Sequence, residues 1–431
     1  MKIRKYCRLP LVLPVALGSV MAFPAKSQGS ISNPDHALTL KAAVQCALTN
    51  NPEIRGLQAD AASARGAVNT AKTWENPQFS IAPGFKSVRD PSATQFHGNF
   101  GLEQKFEWPG KRALRRALAE KDVALRRLAL EGFRSQLAIQ VRRAFEALQT
   151  SLQLVALREQ QLTMAKAFAN AAQKKVEGGF APDFEATKAE VAIVAAQKSL
   201  REARAQSDAA RVRLNTLMGA MPNQPLSLAD ESPEDPMCSD RASLLKLALA
   251  TNASVRLKET EAQRAGLNVD SAKKSRWPDF TVGPGLEYTR DEQIVGFGVS
   301  VPLPLWNRKQ GEIATAKAEL EKTRAGLDQL RRAIGCDVTI ASQNFTAAAD
   351  SLAYYTPALR NKLKTALDAA EASYSEGRAS LLLYLEAQRT YFDTQADYFA
   401  TLQQLHDAEA EMASAIGLPV DVISQSVRPT R

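Results

Sequence analysis

The residues able to bind a metal or move protons are few and scattered in this chain. Its three histidines, His36, His97 and His406, stand far apart and fall in no ligand spacing. No metal site is expected from them. The four cysteines, Cys7, Cys46, Cys238 and Cys336, include no C-x-x-C pair. Cys7 sits in the leader described below, and the odd three that remain give neither a zinc site nor a disulfide framework. They read as small apolar fillers. No G-x-S-x-G elbow, H-E-x-x-H helix or phosphate-cradling glycine loop occurs. The carboxylates carry no pairing signal for acid–base work. Neither a catalytic residue nor a cofactor is expected, so function has to be sought in architecture.

Charge points the same way. Lys111, Arg112, Arg115, Arg116, Arg126 and Arg127 form a basic run that in isolation resembles a polyanion site. Glu120, Asp122 and Glu131 interrupt it, and aromatics are too sparse there to stack bases. It reads as a solvated helix face, and no nucleic-acid partner is expected. The start, MKIRKYCR followed by an apolar run from Leu9 to Ala22, has the pattern of a signal peptide over 1–22, with cleavage after Ala22 or, second, after Ala25. Losing Lys2, Arg4, Lys5 and Arg8 with the leader lowers the net charge from +9 to about +5, too mild to imply nucleic acid. No stretch is long enough for a membrane-spanning helix. An exported chain of this kind is either soluble or inserted as a β-barrel.

The elements that any such function needs are legible from periodicity. Between Trp277 and Gly311, Phe280, Val282, Leu286 and Tyr288 alternate with Thr281, Gly283, Gly285 and Glu287. After the turn Thr289-Arg290-Asp291-Glu292, alternation resumes through Val295, Phe297, Val299 and Val301. Pro302 and Pro304 end the ladder, having no N–H to give it. Asn76 to Arg112 repeats the plan, with a turn at Asp90-Pro91-Ser92 and a close at Trp108-Pro109-Gly110. Strands are expected at about 78–90, 95–108, 279–289 and 294–304.

Long helices flank both hairpins. One runs from Lys111 to about Val176, roughly 66 residues or 100 Å at 1.5 Å per residue. Glu177-Gly178-Gly179 breaks it, and a return runs from Pro182 to Met218. In the second half Arg308 to Ser375 has similar length, with a kink at Pro357, and Ser380 to Ile416 returns after Glu376-Gly377. The two helical hairpins thus span 111–218 and 308–417. Asn51 and Asn252, Arg55 and Arg256, Pro77 and Pro278, and Phe79 and Phe280 are each 201 apart, which marks an internal duplication. Farther on, Gly178 answers Gly377 and Gly219 answers Gly417. The expected domains are 35–220 and 241–419, joined by a proline-rich linker at 221–240 and followed by a tail at 420–431.

Ten alternating residues match an outer-membrane strand, yet four strands cannot close a barrel, and lipid tolerates no open edge. Three chains of four strands would supply twelve. The other reading is two soluble hairpins packed on a helical domain. The fold class is mainly α with a small β part, transmembrane under the first reading.

Over nearly its whole mature length the chain resembles the TolC family of outer-membrane efflux proteins. The resemblance rests on the duplicated helix–hairpin–long-helix plan, the Asn50-Asn51-Pro52-Glu53 start and the glycine-marked turnarounds. Asn76-Pro77, Glu107-Trp108-Pro109-Gly110-Lys111-Arg112 and Pro302-Leu303-Pro304-Leu305-Trp306-Asn307-Arg308-Lys309-Gln310-Gly311 look most like the outer-membrane components of cobalt–zinc–cadmium type pumps. The resemblance implies a homotrimer: a 12-stranded barrel set in the outer-membrane lipid of a Gram-negative bacterium, continued by an α-helical barrel into the periplasm. It implies partners too, a periplasmic adaptor and an inner-membrane pump of the resistance–nodulation–division class, with the duct itself doing no chemistry.

Carried to residues, the resemblance places adaptor docking at two tips, Val176-Glu177-Gly178-Gly179 and Ser375-Glu376-Gly377-Arg378. Ordinary helix capping explains the same glycines. It places Glu185 and Glu386 near the closed periplasmic aperture, where three-fold symmetry would make carboxylate rings. Leu383 stands where relatives can carry another acid. Pro109, Gly110, Pro302 and Pro304 become the barrel-to-helix junction. The function expected is an efflux duct for heavy-metal cations; the alternatives are a channel for drugs or proteins and, in another class, a soluble periplasmic coiled-coil adaptor.

Overall fold

The computed structural model describes residues 37–87, 94–229, 241–289, 292–420 and 422–423. The leader, His36, the Asp90 to Ser92 turn, Arg290 and Asp291, Cys238 with the later part of the linker, and most of the tail lie outside these residues.

Each half begins with two short helices that meet at an asparagine, half-buried in the first half and buried in the second. In the first half they are α1 (Leu40–Asn50) and α2 (Pro52–Lys72); in the second they are α5 (Arg241–Thr251) and α6 (Ala253–Lys274). Asn51 caps α2, its Oδ1 accepting from Glu53 N at 2.9 Å, while its Nδ2 donates to Leu217 O at 3.3 Å. Asn252 does the same for α6, accepting from Ser254 N at 2.9 Å and donating to Ala415 O at 3.2 Å. One side chain therefore starts one helix and satisfies a carbonyl at the end of another. Gly219 and Gly417 complete the two latches at φ +71° and +84°. A Cβ on Gly417 would sit 3.0 Å from Asn252 Nδ2. The repeated Asn and Gly are thus two copies of one joint.

The strands are β1 (Gln78–Ser87), β2 (Thr94–Phe106), β3 (Phe280–Thr289) and β4 (Gln293–Ser300), in the order β1-β2-β3-β4 and antiparallel throughout. The ladder stops at Ser300, ahead of Pro302 and Pro304. Within it, the β2·β3 pairing lapses between Gly101↔Gly285 and Gln104↔Val282. Pro284 has no N–H to contribute at that point. Gly283 lets the chains close up there, since a Cβ would lie 1.9 Å from Leu102 O.

The long helices are α3 (Lys111–Glu177), α4 (Asp183–Met218), α7 (Gln310–Ala353), α8 (Pro357–Ser375) and α9 (Leu381–Ile416). The kink expected at Pro357 is a full break. Proline fits the first turn of a helix but not its interior, so α7 ends at Ala353 and α8 restarts behind Thr356, whose hydroxyl accepts from Leu359 N at 3.2 Å. The helix α3 has no counterpart to this break.

Two apolar clusters, one per half, occupy equivalent places. Ala47, Ile54, Phe145, Leu214 and Met218 form the first; Ala248, Val255, Val338, Met412 and Ile416 form the second. Alanines at the crossing points let helix axes approach closely, and the larger residues fill the space between. A third cluster lies at the far end of the long helices, around Phe168, Tyr374 and Tyr384. Cys46 packs half-buried beside the first cluster, where burial pushes its thiol pKa up. Cys336 departs from the apolar-filler reading, because its side of α7 is exposed.

Candidate functional site

The sheet has two unlike faces. Phe79, Ile81, Phe85, Phe96, Phe100, Leu102, Phe106, Phe280, Val282, Leu286, Val295, Phe297 and Val299 alternate onto one side by register. Most are exposed, Val295 at 79% and Phe297 at 70%. The other side carries Ser80, His97, Asn99, Glu103, Lys105, Thr281, Glu287 and Ser300, interleaved with glycines. His97 Nδ1 lies 3.6 Å from Glu287 on that side. A sheet apolar on its open face and polar on its concave one is what a wall between lipid and water requires. Among the described residues, no helix is long and apolar enough to cross a membrane.

At the foot of the sheet, the aromatics Trp74, Trp277 and Trp306 are exposed, and Trp108 stacks on Trp277 with ring centroids 5.1 Å apart. Asp279 ties this region to α3: its carboxylate accepts from Trp108 N at 2.9 Å and from Lys111 Nζ at 2.7 Å. Arg115 pairs with Glu107, Arg116 with Glu120, and Arg112 lies over Trp74. Much of the basic run is therefore spent on local pairs. The junction also contains a residue that the sequence does not advertise. Gly110 caps α3 at φ +93°, and its counterpart capping α7 is Lys309 at φ +61°, the one non-glycine in the left-handed region among the described residues.

The two tips share one backbone device. After α3, Gly179 N donates to Val176 O and Phe180 N to Lys175 O; after α8, Gly377 N donates to Tyr374 O and Arg378 N to Ser373 O. Both are Schellman closures. The left-handed residues are Gly179 (φ +73°) and Gly377 (φ +74°), so Gly377 is answered by Gly179 and not by Gly178, whose φ is −78°. The Glu376 and Arg378 side chains pair across the second turn. Phe180, Phe184, Leu382 and Leu383 stand exposed around the tips.

Behind the tips, Tyr374 organises a small aromatic knot. Its ring lies 5.3 Å from Phe168 and 5.7 Å from Tyr384, and Lys175 Nζ sits 3.8 Å above it while donating to its carbonyl at 2.7 Å. The Tyr374 hydroxyl donates to Glu185 Oε2 at 3.2 Å. Burial, then the Glu185 charge, pushes the Tyr374 pKa up to about 12, and burial with Glu371 does the same for Tyr384. The two expected aperture acids thus differ: Glu185 is half-buried and held by Tyr374, whereas Glu386 is exposed on α9. Sequence spacing carries no sign of Lys175, Tyr374 or Tyr384, since apart from the Tyr374–Tyr384 stack their contacts join residues some two hundred positions apart.

Fold and two-faced sheet define a class, and comparison with known proteins agrees on which. The family model "Outer membrane efflux protein" matches residues 43–220 and 244–418, and this chain belongs to that family. A curated relative is the cobalt-zinc-cadmium resistance protein CzcC of Cupriavidus metallidurans, 26% identical over 407 residues, covering 92% of this chain and 93% of that one. Among solved structures, CusC superposes with a TM-score of 0.75 at 17% identity over 88% of this chain and 92% of its own. A membrane protein from Pseudomonas aeruginosa does so with 0.76 at 17% identity, over 88% and 90%. The chain is therefore an outer-membrane efflux channel protein, not an enzyme, and the soluble-adaptor alternative falls away.

Proposed function

We propose that this chain is one third of a passive trimeric duct that carries heavy-metal cations out of the cell. The observation that carries this reading is the open, two-faced sheet. β1 and β4 lie at its margins and run antiparallel to one another. The β4 of one copy can therefore extend the ladder onto β1 of the next, and three copies close twelve strands with no edge left in lipid. The apolar face then meets the bilayer and the polar face the lumen. The long helices continue the wall into the periplasm, where the glycine tips and their exposed apolar residues dock a periplasmic adaptor served by a resistance–nodulation–division pump.

Heavy metals are favoured as cargo by the likeness to a cobalt-zinc-cadmium resistance protein over 92% of this chain. Three copies of the exposed Glu386 would add a carboxylate ring at the aperture, which suits cations. Two measurements test the reading. The mature chain purified in detergent is expected to have the mass of a trimer; a stable monomer would refute closure by copies. A deletion strain is expected to lose tolerance to cobalt, zinc or cadmium and to regain it on complementation. Sensitivity confined to drugs would assign the cargo to the other branch of the family.

A further inference from the structure

Glu146 on α3 meets His406 and Glu409 on α9, inside the helical wall and at the seam between the two sequence halves. The three-residue spacing of His406 and Glu409 sets both on one face of α9. His406 Nδ1 lies 3.7 Å from Glu146 Oε2 and 3.8 Å from Glu409 Oε2. One ligand atom from each of the three residues lies within 4.8 Å of the others. Both glutamates are buried, and the His406 side chain is only 13% exposed. Its Nδ1 is buried with no hydrogen-bond partner, aimed between the two carboxylates.

The surroundings favour a cation there. Glu146 divides its oxygens, Oε1 accepting from Arg142 Nε at 2.8 Å while Oε2 turns to His406. Such a fixed outer partner is how a ligating carboxylate is usually oriented. Arg143, next along α3, is engaged with Asp407 at 2.6 Å. Arg142 pairs with Glu146, and the second buried carboxylate of Glu409 beside it calls for further positive charge in a low-dielectric wall. With His406 Nδ1 3.7 and 3.8 Å from the two carboxylate oxygens and all three donors within 4.8 Å of one another, a cation between them would sit about 2.1–2.4 Å from each, close to the lengths of zinc–nitrogen and zinc–carboxylate bonds. One imidazole and two carboxylates suit first-row divalent ions.

We propose that Glu146, His406 and Glu409 ligate a divalent transition-metal ion, best fitted by Zn²⁺, that clasps α3 of the first half to α9 of the second. A solvent molecule takes the fourth position on the exposed margin of His406. The site is part of the wall and does not depend on which cargo the duct carries. Without an ion, a protonated His406 would have to hold the two carboxylates, and the experiment separates the two states.

The full chain, freed of any affinity tag and stripped with chelator in detergent, is titrated calorimetrically with Zn²⁺. The expected result is one saturable ion per chain, weakened at least tenfold in His406→Gln and in Glu409→Gln and unchanged in His97→Gln. Zn²⁺ should raise the thermal midpoint of the wild type and not of His406→Gln. To guard against loss of fold, His406→Cys is loaded with Co²⁺, where a thiolate-to-metal band absent from the wild type should appear. No saturable binding by the wild type would leave the imidazolium in place and overturn the proposal. So would binding that the His406 and Glu409 variants leave intact, or a His406→Cys protein without the new band.

Discussion

Replacing Asn252 by alanine tests whether one side chain joins two helices. Asn252 is buried, caps α6 and satisfies the Ala415 carbonyl near the end of α9. Losing an N-cap costs about 1 kcal/mol, and losing the second, part-buried bond costs about 1 kcal/mol more. The sum of about 2 kcal/mol corresponds to roughly 30-fold faster local opening. Hydrogen–deuterium exchange with mass spectrometry on the detergent-solubilised chain reads it as faster exchange in both the first turn of α6 and the last turns of α9. Asn252→Ser keeps a capping oxygen and loses the reach to Ala415, so it should lose about 1 kcal/mol, near fivefold. Asn51→Ala should follow the same pattern more weakly, because Asn51 is only half-buried. Acceleration in Asn252→Ala confined to α6, or equal effects of Ser and Ala, would refute the two-helix latch.

Other outcomes follow from single positions. Lys309 holds φ +61°, so Lys309→Val should lower thermal stability by about 1–2 kcal/mol, while Lys309→Gly should match or exceed wild type. Gly377→Val should abolish efflux in a complemented deletion strain while trimers still form, and Gly178→Ala, at an ordinary φ, should retain efflux. On the sheet, Phe297→Arg should cost about 2–4 kcal/mol on the apolar face proposed to meet lipid and deplete the outer-membrane fraction, whereas Asn99→Lys on the opposite, polar face should insert normally. The Tyr374 pKa is raised from 10.0 to about 12, so its stabilisation is complete below pH 10 and lost as the pH climbs through the folded value. Absorbance titration at alkaline pH should show one late-ionising tyrosine missing in Tyr374→Phe.

Much of this architecture can be read from residue order because it is written locally. Alternation in Phe280 to Tyr288, proline at 302, glycine after a long apolar-periodic helix and asparagine before proline each encode one element over a few residues. The duplication then doubles every such signal. What cannot be read is set by tertiary contact. Proline at 357 predicts a disturbance, but whether it kinks or breaks the helix depends on Thr356 capping and on Tyr355 packing against Tyr398. Lys309 looks like any surface lysine, since its strain lies in the backbone. His406 and Glu146 are 260 positions apart, and no spacing rule joins residues whose meeting is decided by the packing of α3 on α9. The Glu185–Tyr374 bond is hidden for the same reason.

The interruption at Pro284 bears on how the sheet yields mechanically. A ladder bends where its rungs are missing, and the missing rungs lie between β2 and β3, the boundary between the two halves of the chain. Eight residue pairs still join β2 to β3, so the softest line of the sheet is the short gap at Leu102 and Gly283, where the strands of the two halves meet. In a closed ring of three chains such lines would recur three times, letting the cross-section flex from round toward triangular while the pairing within each half stays whole.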